Sequence, residues 1–192
     1  MNPYASLTDS ELLTLVSKRD KTALVDLYRR YSKLLYTLIK KIVGDADVAA
    51  NLLEEVFLII WKKSDSYVNQ PENPYTWIVT LTRNRAVDSA RRSRNSLSAS
   101  QYYDASYEDK FIIPQLAAGI DPIDIDLAFK IKPTFEEALN KLTDAQKYVL
   151  HLAYYDGYTL DEIANKLNIP VETVRVKIKT AVYNLRENLL SE

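Results

Sequence analysis

Cysteine is absent from the 192 residues. Disulfide staples and thiolate metal sites are thereby excluded, and any thiol-based sensing must reside in another protein. Glycine occurs only three times. Turn-rich β folds and glycine-lined phosphate loops are poor fits to that scarcity, and helix-rich architecture is favoured. The single histidine, His151, lies between Leu150 and Leu152 and reads as a core or partly exposed helix residue. Its isolation leaves the many serines without an imidazole base to activate them. Asp121, Asp124 and Asp126 lack the glycine and terminal glutamate of a calcium loop. No catalytic residue, no cofactor and no metal site is therefore expected. No apolar run approaches the roughly 20 residues of a membrane span, and the polar N-terminus has no signal-peptide core. A cytoplasmic location is the corresponding expectation.

What is present is an ordinary globular composition, 47% hydrophobic and 27% charged. The net charge of −1 argues at first against a nucleic-acid partner, but the average hides a distribution. Residues 1–94 hold 15 Lys+Arg against 11 Asp+Glu, and residues 95–132 hold 3 against 6. Residues 133–192 hold 7 against 9. Within that last block, however, Lys166, Arg175, Lys177, Lys179 and Arg186 face Glu172 alone over 166–186. Two basic stretches flank an acidic middle, a pattern compatible with DNA at two places.

Helical periodicity covers most of the chain. Thr8-Asp9-Ser10-Glu11 is a capping box, and a second helix opens after Asp20. Leu24, Leu27, Tyr28, Tyr31, Leu35, Leu38 and Ile42 form its predicted apolar stripe, which Gly44 ends. Asp45 or Asp47 starts a third helix with Leu52, Leu53, Val56, Phe57, Ile60 and Trp61 inward. Ser64–Pro74 reads as a loop, followed by a helix from about Tyr75 to Arg92 with Trp77, Ile78, Leu81 and Val87 inward. From Ser93 the pattern collapses into a linker, within which Phe111-Ile112-Ile113-Pro114-Gln115-Leu116 is an apolar patch suited to docking on a domain surface or on a partner. Periodicity returns after Pro133 with Phe135, Ala138, Leu139 and Leu142, then Val149, Leu150 and Ala153. The expected organisation is two small all-α domains, 1–94 and 133–192, joined by residues 95–132.

Two constellations carry chemistry. Thr159-Leu160-Asp161-Glu162 is a second capping box, opening a short helix in which Ala164 permits close approach. Asn168-Ile169-Pro170 makes a turn, and a second helix from Val171 buries Val174, Ile178, Ala181 (or Val182) and Leu185. That is a helix-turn-helix whose second helix can lie in the major groove. Thr173, Arg175, Lys177 and Lys179 are its candidate DNA-binding residues: Arg or Lys can pair with guanine edges, and Thr173 with the helix N-terminus can hold phosphate. The other constellation is Tyr75, Trp77, Arg83, Asn84, Arg85, Asp88, Arg91 and Arg92. Cations interleaved with aromatics and an amide suit single-stranded or distorted DNA, although Trp61 and Trp77 are more often core residues than stacking platforms.

In order and spacing, the two constellations together resemble the extracytoplasmic-function (group 4) sigma factors of bacterial RNA polymerase, of the sigma-70 family. The matching stretches are Leu24–Tyr31, Asp45–Trp61 and Trp77–Asp88 with the arginines after it. In the C-terminal part they are Leu142–Gln146, Tyr158–Ala164 and Ile169–Arg175. The resemblance implies a helical region 2 and a helical region 4 on a flexible linker, with promoter recognition and assisted melting as the function. It implies that Asn51, Leu52, Glu54, Glu55 and Phe57 meet the clamp helices of the polymerase β′ subunit. It assigns Tyr75, Arg83, Asn84 and Asp88, with the loop 67–74, to the single-stranded −10 element. Arg91, Arg92 and Arg94 would follow upstream phosphates. Region 4 would sit on the β flap and read the −35 duplex through Thr173, Arg175, Lys177 and Lys179. An anti-sigma factor is an expected partner. Asn51 and Glu54 depart from the Asp and Gln usual in the family, and Val176 stands where a small polar residue is common. A stand-alone helix-turn-helix regulator is the alternative, and it would leave 45–92 unexplained.

Overall fold

The structure, a computed structural model, describes residues 4–69, 73–95 and 125–190. Eight helices and no strand occur among them: α1 (Asp9–Ser17), α2 (Lys21–Val43), α3 (Ala46–Asn69), α4 (Pro74–Asn95), α5 (Ile125–Asn140), α6 (Asp144–Tyr154), α7 (Leu160–Leu167) and α8 (Val171–Leu190). The chain separates into two compact units, one holding α1–α4 and the other α5–α8. The linker patch Phe111–Leu116, with Asp121 and Asp124, lies outside the described residues. No helix among them is long and apolar enough to cross a membrane.

In the first unit, each helix start is written in local chemistry. Thr8 and Glu11 satisfy each other's backbone donors at the head of α1, at 3.3 and 2.7 Å. Asp20 caps α2, which stops at Gly44 in the left-handed region, φ 79°. Asp45 rather than Asp47 caps α3, accepting from the N–H groups of Asp47 and Val48, both at 2.9 Å. Asn73 caps α4, with Pro74 at the first helical position, where a missing N–H costs nothing. Arg30 stitches the segment before α1 to α2, reaching the carbonyls of Tyr4 and Leu7 and the carboxylates of Asp9 and Asp26.

The core differs from the predicted stripes in instructive ways. In α2 the fully buried row is Ala23, Leu27, Tyr31, Leu35 and Ile39, while Tyr28 is 44% exposed. Both rows obey helical spacing; α1, α3 and α4 packing against α2 select the one that contains Ala23 and Ile39. Helix α3 does not stop at Ser64. Ser64 and Tyr67 continue the buried row after Ile60, so the segment to Asn69 is helix, and the predicted loop loses its first half. Helix α4 likewise runs to Asn95, through the polar residues that read as linker.

The second unit is built on Val149, Leu152, Ile163, Ala164, Val174 and Ile178, with Leu160, Leu167, Ile169, Val171 and Val182 packed around them. Helix α5 begins eight residues before Pro133 and passes through it. The proline forfeits one backbone bond, and the residues ahead of it remain helical, so the boundary at 132 falls inside an element. Thr143 and Gln146 form a capping box at the head of α6, an S/T-x-x-E/Q spacing like those at Thr8 and Thr159. Asn188 Nδ2 donates to the Ala138 carbonyl at 3.1 Å, tying α8 to α5.

Candidate nucleic-acid interface

The helix-turn-helix forms as its residues dictate. Thr159 and Glu162 close their capping box at 2.7 and 3.3 Å. Asn168 takes a left-handed conformation, φ 52°, to end α7. Ile169 N–H returns to the Ala164 carbonyl at 3.1 Å, and Val174 N–H to that of Pro170 at 3.2 Å. Ala164 is 4% exposed where α8 approaches, and Val174, Ile178 and Ala181 turn inward. That leaves Arg175, Lys177 and Lys179 exposed and Thr173 half-buried. Arg175 Nε donates to Glu172 Oε2 at 3.1 Å, an exposed pair on the first turn of the helix. Lys166 is held over the Tyr158 ring at 5.3 Å. His151 is exposed, 3.7 Å from the Asp156 carboxylate.

In the first unit the structure sorts the α4 residues by depth. Tyr75 and Trp77 are half-buried. Trp77 lies against Tyr67 with ring centroids 5.1 Å apart, and Tyr75 faces Tyr31 at 6.4 Å. Burial pushes the Tyr75 hydroxyl above the usual phenol range. Arg83 and Asp88, which the resemblance gives to the single strand, and Arg91, which it gives to upstream phosphates, are buried. Arg83 Nη1 donates to Asn84 Oδ1 at 3.1 Å, so the arginine steadies the amide. Burial raises the Asp88 carboxyl above its usual range, against the pull of Arg92, Arg85, Arg91 and Arg83. Its Oδ1 has no hydrogen-bond partner among the described residues. Asn84 and Arg92 are half-buried and Arg94 is exposed.

The residues that the resemblance gives to the polymerase divide in the same way. Leu52 and Phe57 are core, 4% and 6% exposed, and Phe57 packs on Tyr28 at 4.9 Å. Asn51 and Glu54 are exposed. Glu55 is paired with Arg85, whose Nε donates to Glu55 Oε2 at 2.9 Å, so α3 and α4 are bridged by charge. Leu58, also on α3, is 57% exposed. It follows Asn51 by seven residues, two helical turns along the same face, and that spacing was available in the sequence.

Two helical units, the second closing on a helix-turn-helix, define the class. A family model described as Sigma-70 region 2 matches residues 27–96, and one described as Sigma-70, region 4 matches residues 138–187. A protein of Mycobacterium tuberculosis (strain ATCC 25177 / H37Ra), named ECF RNA polymerase sigma factor SigK, is 25% identical over 192 residues, 97% of this chain and 96% of its own length. A protein of the same name from Mycobacterium ulcerans (strain Agy99) is 26% identical over 178 residues, 93% of this chain and 91% of its own. The chain belongs to the sigma-70 family and is a sigma factor of the extracytoplasmic-function type. Its function is to direct RNA polymerase to promoters, and the stand-alone regulator is not favoured, because region 2 accounts for α2–α4.

Proposed function

We infer that the two units divide the promoter between them. The first binds the β′ clamp helices through the exposed face of α3, where Asn51, Glu54 and Leu58 lie, and holds the single-stranded −10 element against α4. Tyr75, Asn84, Arg92 and Arg94 are its accessible groups there. Arg83, Asp88 and Arg91 serve as the buried frame that orients them. The second unit rests on the β flap and reads the −35 duplex with α8. The protein has no catalysis of its own, acts in the cytoplasm with the polymerase, and is held inactive by an anti-sigma partner.

The observation that carries this reading is the exposed basic surface of α8, presented by a capped and tightly turned α7. Thr173, Arg175, Lys177 and Lys179 lie there beside a helix N-terminus, which suits phosphate and base edges. Purified core polymerase supplemented with the chain is expected to initiate on a subset of genomic fragments whose start sites share −35 and −10 elements. Absence of initiation dependent on the chain at every fragment overturns the reading.

A further inference from the structure

The outer face of α8 is centred on an apolar residue. Successive residues of an α-helix are about 100° apart, so Val176 stands roughly 140–160° from each of the inward residues Val174, Ile178 and Ala181. It is therefore the outward-facing side chain of the first turns of α8, 53% exposed, with Tyr183, 62% exposed, two turns further along the same face. The first turn of α6 rises beside it, and Thr143, Ala145, Gln146, Lys177 and Thr180 line a shallow groove with it. Arg175 and Lys177 lie about 100° to either side. They occupy the flanks of the helix, and Arg175 is turned toward Glu172.

A helix seated in the major groove directs its outward centre at base edges and its flanks at the two phosphate backbones. An isopropyl group at that centre has no hydrogen bond to offer. Its one specific complement in the groove is the 5-methyl of thymine, the apolar feature that distinguishes an A·T pair by contact alone. We propose that Val176 is a sequence-reading residue, packing on the methyl of one thymine in the −35 element, while Arg175 and Lys177 hold phosphate on either side. The assignment rests on the reading that α8 docks in the major groove. It transfers discrimination from the arginine, the obvious base reader in the sequence, to the valine beside it.

The test uses the full chain bound to core polymerase and duplexes selected by that holoenzyme from a library randomised over the −35 region. Each selected thymine is replaced in turn by deoxyuridine, which lacks only the methyl. The holoenzyme is expected to lose about fourfold in affinity at one position, the effect of one buried methyl. Val176→Ser is expected to bind the thymine and deoxyuridine duplexes equally, and Val176→Ile to keep the preference. Insensitivity to every replacement, or a preference that persists in Val176→Ser, overturns the assignment to Val176 while leaving the docking of α8 intact. Selection of no shared element at all overturns both.

Discussion

Asp20 has two tasks at the entrance to α2. Its carboxylate accepts from the backbone N–H groups of Thr22 and Ala23 at 2.8 and 3.2 Å, and from the Tyr4 hydroxyl at 2.7 Å. The Tyr4 bond, with the two backbone bonds, holds its carboxyl below the usual range. The backbone and side-chain bonds of Thr8 do the same for Glu11. A depressed carboxyl contributes stability above its unfolded pKa and loses it as pH falls through the folded one. Asp20→Ala is therefore expected to lower the melting temperature at neutral pH, with the gap to wild type closing on acidification past the carboxylate range. Thermal melts of both proteins across pH check this. Thr159 caps α7 without titrating, and Thr159→Ala is expected to destabilise the second unit by about 1 kcal/mol at any pH; chemical denaturation measures it. Thr8, Asp20 and Thr159 were identifiable from the chain alone because a cap involves residues two or three apart.

At the scale of the element, two faces must be told apart on one helix. On α3, Leu52 is core and Leu58 is solvent-facing. Leu52→Ala is expected to cost about 2–5 kcal/mol of stability, whereas Leu58→Asp is expected to leave the fold and abolish core-polymerase binding. Melting curves and a polymerase pull-down separate the two, and retained binding by Leu58→Asp removes that face from the interface. On α8, Arg175→Ala and Lys177→Ala are expected to weaken binding to all DNA sequences alike, each reducing the salt slope of log K by about 1. Titrations at several salt concentrations measure it, and loss confined to one sequence would place the cation on a base. Periodicity located both helices but left the depth of α4 undetermined. Arg83 and Arg91 look like surface cations in a sequence, yet both are buried in the folded unit.

The whole molecule is two cores in one chain. Leu12, Leu27, Leu35, Val56 and Ile78 belong to the first, and Val149, Leu152, Ile163, Val174 and Ile178 to the second. Ile178→Ala is expected to cost about 2–5 kcal/mol, and to speed amide hydrogen exchange across residues 125–190 while residues 4–95 keep their protection. Mass-spectrometric exchange distinguishes the units, and equal loss in both would show a single cooperative structure. The sequence by itself determined the helix-turn-helix, the capped starts of α1, α2 and α7 and the all-helical class, since these arise from capping and apolar spacing within a few residues of each other. It did not determine which of two equally periodic rows in α2 faces inward, how far α3 and α4 extend, or where α5 begins. Nor did it reveal that Arg83 and Asp88 are interior. Those were decided by tertiary packing: a side chain's depth depends on which neighbours cover its helix, and no local pattern contains that information.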